Sequence, residues 1–446
     1  MTSRILGAAL ALVVAVVCGF TVVAQGQQRG PAASVPTFSK DVAPILYKNC
    51  VTCHRPGEIG PMPLLTYEEA KPYRAEIREQ VAAGHMPPWH ANAPEGTFLN
   101  ERRLTPAEKD TILRWADNGA PQGNASDMPP RPTFTPGWQL GQPDVVLEME
   151  KAYSVPASGE IPYEYFYIPT NFKEAKLIKS IEIRPGVREA VHHVLLFYRS
   201  EPDQGPQPAV IRRNATQMRE PVPAAFGSSP PRRPMSATER QKLIGTYAPG
   251  TNPQLMPEGT GLRLEAGGAL ELQVHYTAFG TAAQDRTRIG ITFAKEPVRE
   301  IKPTHFFNTA LELPAGAKDV RVDADVSFVA PATLWGIFPH THLRGTKWQY
   351  VLELPDGTKK IVLDVPGYDF HWQTYYMFKQ PLEIPAGAKL VSSAWYDNSA
   401  GNPSNPNPKV TVKWGDQTWE EMQYTGLLFS PALKPAVPVL PGFTRK

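Results

Sequence analysis

The sequence predicts a multidomain protein in which a small all-α domain precedes two all-β sandwiches of the jelly-roll type. Apolar residues at helical spacing are confined to positions 36–122, whereas short apolar or alternating runs recur between positions 144 and 435. A proline- and glycine-rich stretch, 123–143, lies between them and is expected to be a linker. The chain has 446 residues, 48 of them proline, which favours strands and loops over helical bundles.

The first 24 residues have the pattern of a secretory signal peptide. Arg4 precedes the apolar run 5–23, and Val22-Val23-Ala24 offers a cleavage site. We therefore expect a periplasmic or otherwise extracytoplasmic protein; an uncleaved run of this length would instead anchor the chain in a membrane. Cys18 is one of only three cysteines and lies in this run, so no structural disulfide is expected. The net charge of +3 gives no reason to expect a nucleic-acid partner.

Three helices are predicted between positions 36 and 122. Apolar residues follow the helical period in 41–49 and in 67–83. A third helix is expected to begin after Thr105, because Glu108 completes a capping box, and to end at Asn118-Gly119.

The β region is predicted from short strands that are separated by turn signals such as Pro355-Asp356-Gly357 and Pro385-Ala386-Gly387. Its length exceeds that of one sandwich, so we expect two, over 144–298 and 299–435. The polar, proline-rich stretch 201–241 is expected to be a surface excursion. The predicted strands are 145–149, 190–198, 269–276, 320–329, 348–353, 389–395 and 409–414.

The segment Cys50-Val51-Thr52-Cys53-His54 is a CxxCH motif, which is typical of covalent c-type haem attachment. The two thiols would bond to the porphyrin, and His54 would be an axial iron ligand. One helical turn can present these three groups to the same edge of the ring. We therefore expect one haem c per chain, and segment 36–122 resembles a small class I cytochrome c domain, in which Trp115 would pack near the haem.

The sixth iron ligand must come from a soft or imidazole donor further along the chain. Met86 is preferred because it follows a predicted helix and because Pro87-Pro88 would fix an irregular loop around it. Met62 and His85 are the alternatives.

Five more histidines lie at three places on predicted strands. His340 and His342 are two residues apart, so a strand would direct both to one face and let them bind one metal ion. His192 and His193 are adjacent and need a β-bulge or a strand end to share a metal ion. His275 is the fifth. Imidazole groups suit copper, zinc or iron, and an added methionine thioether favours Cu(I).

The order of these motifs is similar to that of the copper type II, ascorbate-dependent monooxygenases, which include peptidylglycine α-hydroxylating and dopamine β-monooxygenases. The resemblance spans about residues 145–430. It is carried by the HH pair, Gln273-Val274-His275-Tyr276, His340-Thr341-His342-Leu343 and the segment 415–422, together with the segment 247–261 before His275.

This resemblance implies two copper ions and an enzyme that inserts one oxygen atom of O2 into a C–H bond. His192, His193 and His275 would hold the electron-transfer copper. The catalytic residues His340, His342 and Met422 would hold the copper at which oxygen reacts. The family fold is two jelly-roll sandwiches, each with one copper, on opposite sides of a solvent cleft.

The resemblance also bears on substrate and electron donor. Phe338 and Gly426 stand where the peptide-hydroxylating relative has its substrate-binding arginine and tyrosine, so an apolar or aromatic substrate is preferred over a glycine-extended peptide. Electrons would come from ascorbate or a redox protein, and the fused haem would relay them to copper. The alternatives are a non-catalytic electron carrier or copper-binding protein, and a binding module. His85, His90, His305 and His371 are expected to be structural.

Overall fold

The computed structural model describes residues 34–56, 58, 60–134, 137–201, 210–214, 217, 240–248, 251, 253–295 and 298–432. The predicted secretory signal, with Cys18, lies outside the described residues, as does most of the excursion 201–241. No helix of the described ranges is long and apolar enough to cross a membrane.

The helices lie where the sequence predicts them, but they are short. The third predicted helix begins at Pro106, because Glu108 N–H donates to Thr105 Oγ1 at 3.2 Å and Thr105 N–H donates to Glu108 Oε2 at 2.8 Å. The predicted helix 67–83 is divided by a 3₁₀ turn, Lys71–Tyr73, and a π-helical turn, Phe38–Val42, precedes the first helix. The α-helices are α1 Ala43–Asn49, α2 Tyr67–Ala70, α3 Arg74–Ala83 and α4 Pro106–Asp117.

Most of the regular structure is β. The strands are β1 Val145–Glu148, β2 Tyr153–Val155, β3 Glu164–Pro169, β4 Lys176–Arg184, β5 Val191–Ser200, β6 Ile211–Arg213, β7 Arg240–Tyr247, β8 Gln254–Leu255, β9 Thr260–Leu264, β10 Ala269–Tyr276, β11 Ala283–Asp285, β12 Arg288–Phe293, β13 Arg299–Phe307, β14 Glu312–Leu313, β15 Val320–Phe328, β16 Ala332–His340, β17 Gly345–Glu353, β18 Lys359–Val365, β19 Tyr376–Ile384, β20 Lys389–Tyr396, β21 Val412–Lys413 and β22 Tyr424–Pro431. The left-handed Gly357 and Gly387, with φ of 86° and 84°, lie at the two predicted turns.

The strands form the predicted sandwich architecture. Within the described ranges, the largest sheet has nine strands in the order β1-β12-β4-β9-β13-β22-β16-β19, with β8 paired to β4. The sheet β3-β10-β5-β7 shares one hydrophobic core with its first half. The sheet β18-β17-β20-β15-β6 shares a second core with its other half. Because β13 pairs in parallel with β9 and antiparallel with β22, one continuous sheet joins the two sandwiches.

The helices enclose a small hydrophobic cluster that includes Phe38 and Trp115, both fully buried. A separate all-α domain is nevertheless not evident, because the chain after α3 packs on the second sandwich. Phe98 lies in that sandwich's core, Leu99 N–H donates to the carbonyl of Met377 at 2.8 Å, and Lys379 N–H donates to the carbonyl of Thr97 at 2.9 Å.

Part of the predicted linker also packs on a sandwich. Gln139 N–H donates to both carboxylate oxygens of Glu182, at 2.9 and 2.8 Å. The ring of Trp138 lies so close to Gly290 that a Cβ there would be 2.8 Å from ring carbons, so only glycine fits at this position.

Candidate metal and haem sites

The CxxCH segment directly follows α1 and forms a turn. The backbone N–H groups of Cys53 and His54 donate to the carbonyl of Cys50 at 3.0 and 2.9 Å. Gly60 N–H donates to the carbonyl of Cys53 at 2.9 Å, and a Cβ at Gly60 would be 2.7 Å from His54 Nδ1. Only glycine allows this close approach, and it lets the loop after the motif pack directly against the backbone of His54.

The ring of His54 is oriented by a hydrogen bond to the backbone. Its Nδ1 lies 3.1 Å from the carbonyl of Met62, so Nδ1 carries the proton and donates. Burial lowers the pKa of His54, which favours the neutral ring. The remaining nitrogen, Nε2, is then the available iron ligand, as the haem prediction requires.

The three candidate sixth ligands lie in different environments. Met86 lies at the surface, with 42% of the residue exposed, two residues after the left-handed Gly84 that ends α3. Met62 packs on the helical cluster. His85 Nδ1 lies 3.1 Å from the side-chain oxygen of Gln80 in an exposed position. The assignment of Met86 to iron therefore stays a prediction.

The CxxCH segment lies beside the first sandwich. Glu58 forms ion pairs with Arg55, at 2.8 Å, and with Arg188. Arg188 precedes β5, which carries His192 and His193. The ion pair between Glu58 and Arg188 therefore links the loop after the haem-attachment motif to the segment that leads into His192 and His193.

His192, His193 and His275 come together on β5 and β10. Their candidate ligand atoms all lie within 4.8 Å of one another. The expected bulge is present: His275 pairs with His193, but Tyr276 pairs with Val191, which leaves His192 as the extra residue. Because of this bulge, His192 Nδ1 and His193 Nδ1 lie only 3.1 Å apart, although the two residues are adjacent. We call His192, His193 and His275 the three-histidine group.

Burial makes the three-histidine group neutral at neutral pH. Desolvation lowers the pKa of His192 to about 4 and that of His275 to about 3, and it lowers the pKa of His193 well below its ordinary value. Nδ1 of His275 and Nε2 of His193 are buried without a hydrogen-bond partner among the described residues. Neutral imidazoles with unpartnered nitrogens are what a metal ion such as copper requires.

His340 is the last residue of β16, and His342 lies two residues beyond it; we call them the histidine pair, and their ring centroids are 5.2 Å apart. Gln373 donates to the carbonyl of Phe370 at 3.0 Å, so its oxygen accepts from His340 Nδ1 at 2.7 Å. His342 Nδ1 faces the carbonyl of Glu420 at 3.3 Å. Both rings therefore carry the proton on Nδ1, which leaves Nε2 of each ring free of a proton and able to bind a metal ion. Nε2 of His342 is buried and has no hydrogen-bond partner within the described chain.

Met422 lies on the segment that packs against the histidine pair. Its neighbour Glu421 accepts from the backbone N–H groups of His342 and, at 3.0 Å each, of Arg344 and Met422. Burial raises the pKa of Glu421 to about 7. Tyr396 OH donates to the carbonyl of Met422 at 2.8 Å. These contacts fix the backbone of Met422 beside His342, as a shared metal site would need.

Two aromatic rings lie between the three-histidine group and the histidine pair. The centroid of Tyr163 is 5.0 Å from that of His275 and 6.2 Å from that of His342. The centroid of Phe370 is 5.5 Å from that of His193 and 6.1 Å from that of His342. The two groups are thus about one ring apart, rather than on opposite sides of the solvent cleft that the family resemblance implies.

A cavity of about 560 Å³ lies next to these groups. Arg102, Lys179, Trp372 and Tyr375 are among its lining residues. Tyr375 packs on Phe338 with centroids 5.0 Å apart, and Phe338 stacks on His340 at 6.0 Å. Two aromatic rings, Tyr375 and Phe338, therefore lie between this cavity and His340.

Sequence reasoning did not identify several of these residues. Tyr163, Phe370, Gln373 and Glu421 lack a spacing pattern, and they reach the site only through tertiary contacts. His371 was expected to be structural, yet its Nδ1 lies 2.6 Å from His192 Nε2. The only signal in the sequence was a further histidine in the aromatic segment 368–372.

His305 lies outside both groups, and its ring packs beside those of Phe307 and Tyr424, with centroids 5.7 and 5.5 Å apart. Burial lowers its pKa to about 3, so the folded chain does not bind the proton that an unfolded histidine binds near pH 6.5. Folding stability contributed by His305 is therefore lost as the pH falls from 6.5 toward 3. The free energy of unfolding should fall between pH 7 and pH 5 in the parent, and we expect this fall to be about 1 to 2 kcal/mol smaller in His305→Phe. Urea unfolding at both pH values measures this; parallel losses would contradict it.

Comparisons with known proteins assign no family. No protein-family profile and no curated protein matches the sequence. A structure of the infectious bursal disease virus Gx strain has a TM-score of 0.19 and 11% identity, and the alignment covers 67% of this chain and 73% of that one. A structure of allantoicase has a TM-score of 0.15 and 8% identity, covering 55% and 81%. At TM-scores this low, these similarities assign neither a fold nor a function to the chain.

Proposed function

We propose that this chain is an exported haem- and copper-dependent monooxygenase that inserts one oxygen atom of O2 into a C–H bond. In this proposal, the CxxCH segment carries a c-type haem that relays electrons to two copper sites. The observation that carries the proposal is the convergence of five neutral histidines, three of them buried and two half-buried, into two adjacent groups in which ring nitrogens of His193, His275 and His342 have no hydrogen-bond partner among the described residues.

The residues present fit two different copper sites. The three-histidine group would hold one ion, and the histidine pair with Met422 would hold the other. Copper bound at these sites supplies one-electron redox chemistry and, where only three protein ligands are used, a position for O2. A thioether beside two imidazoles favours Cu(I), the oxidation state that reacts with O2.

The surrounding side chains prepare these ligands. Gln373 and the carbonyl of Glu420 hold the protons of His340 and His342 on Nδ1, so that Nε2 is available without a tautomer change. Tyr163 and Phe370 fill the space between the groups and exclude water from it. This arrangement favours a protected reaction at the histidine pair.

The same test of fit supports the haem. His54 Nδ1 is engaged by the carbonyl of Met62, so Nε2 is available to iron. Cys50 and Cys53 form no disulfide and lie on one turn, as thioether formation requires. The substrate class stays an expectation: an apolar or aromatic molecule, because Phe338 and Gly426 stand where the peptide-hydroxylating relative has its substrate-binding arginine and tyrosine.

The first experiment is a metal count on the full chain, exported with haem maturation and supplied with copper. We expect one iron and close to two coppers per chain, measured by plasma mass spectrometry after dialysis. Oxidation of the reduced protein by O2, accelerated by a C–H substrate, would then separate the enzyme from a non-catalytic electron carrier. One iron with no retained copper would overturn the proposal.

A further inference from the structure

We infer that His371, from the second sandwich, is a positioning residue for the three-histidine group of the first sandwich. This inference rests on the proposed function, since it assigns a role toward copper at that group. His371 Nδ1 lies 2.6 Å from His192 Nε2, and the two ring centroids are 4.9 Å apart. The two residues are 179 positions apart in sequence, so this contact joins the two halves of the chain.

The contact determines which nitrogen of His192 can bind a metal ion. His192 Nδ1 faces His193 Nδ1 at 3.1 Å, inside the three-histidine group. A neutral His192 that ligates through Nδ1 carries its proton on Nε2, which then donates to His371 Nδ1. His371 thereby holds both the tautomer and the ring orientation of His192, the usual function of a hydrogen-bond partner beside a metal ligand.

The loop around His371 is built to hold it there. His371 N–H donates to Asp369 Oδ1 at 2.8 Å, and Trp372 N–H donates to the carbonyl of Asp369 at 3.0 Å, so 369–372 forms a fixed turn. Phe370 stacks on His192 at 5.5 Å with an interplanar angle of 22°. His192 is therefore held by two consecutive residues of this turn.

The same turn reaches the CxxCH segment. The guanidinium of Arg102 lies over the ring of Trp372 at 5.2 Å, and Arg102 also hydrogen-bonds the side chain of Cys53. The turn 369–372 thus contacts the three-histidine group directly and is linked to the haem-attachment segment through Arg102.

The test uses full-length, haem-loaded protein carrying His342→Ala, in which copper is expected only at the three-histidine group. His371→Ala in this background should weaken Cu(I) binding about 10- to 100-fold, measured by competition with a chromophoric chelator. It should also change the Cu(II) electron paramagnetic resonance spectrum. His371→Asn is the matched variant, because its side-chain oxygen can accept in place of Nδ1, and it should recover most of the affinity and the parent spectrum.

The outcomes separate this inference from the proposed function. Unchanged affinity and spectrum in His371→Ala would overturn the positioning role and leave the monooxygenase proposal standing. Equal losses in the Ala and Asn variants would also overturn it, because they would show that only the fold was disturbed. A parent that binds no copper at the three-histidine group would overturn both.

Discussion

Replacing His342 with alanine is expected to remove one of two coppers per chain and to reduce turnover by more than about 100-fold. His342 is fully buried, and its Nε2 has no hydrogen-bond partner among the described residues, so this nitrogen is available to bind a metal ion. Loss of a ligand should cost more than loss of a ligand's outer partner, which typically costs 10- to 100-fold. Metal counting and O2 consumption with ascorbate measure the two effects.

His305→Phe is the matched control for this experiment. His305 also belongs to the second sandwich and has a strongly lowered pKa, but it packs beside Phe307 and Tyr424 and lies in neither histidine group. We expect this variant to retain both coppers. Two coppers in the His342→Ala protein, or loss of copper in both variants, would contradict the assignment of His342.

The candidate ligands and the helix boundaries could be predicted from local patterns in the sequence. The capping box at Thr105 and Glu108 fixes the start of α4 within one turn, so its signal is short in range. The bulge at His192 could be anticipated because two adjacent residues on a regular strand cannot share a metal ion. Each of these predictions depends on residues only a few positions apart.

Features that depend on distant contacts could not be predicted in the same way. The parallel pairing of β9 with β13 joins the two sandwiches, but parallel pairing leaves no turn signal between the strands. His371 has no periodic relation to His192, and Tyr163 has none to His342. The alternation of side chains along a strand gives the face of a residue but not its partner across the fold.

The haem-attachment motif should control which electron donor the protein can use. Cys50→Ala with Cys53→Ala is expected to abolish covalent haem, since no thioether can form, and to abolish turnover with a reduced redox-protein donor. Ascorbate should still support part of the activity, because the three-histidine group and the histidine pair lie on the sandwiches and keep their ligands. Haem staining of denaturing gels and parallel turnover assays with the two donors measure these effects.

Met86→Leu is the matched comparison. It leaves both thioether bonds intact, so haem staining should persist, whereas ligation by the Met86 thioether predicts a changed visible spectrum and slower turnover with the protein donor. An unchanged spectrum would remove Met86 as the sixth ligand and return Met62 and His85 to consideration.

The test of electron relay depends on the difference in activity between the two electron donors. The CxxCH segment touches the sandwiches through Glu58 and Arg188 and through Arg102 and Trp372, so its loss could also disturb the fold. Equal loss of activity with ascorbate and with the protein donor would therefore indicate a structural role for this segment and would count against electron relay.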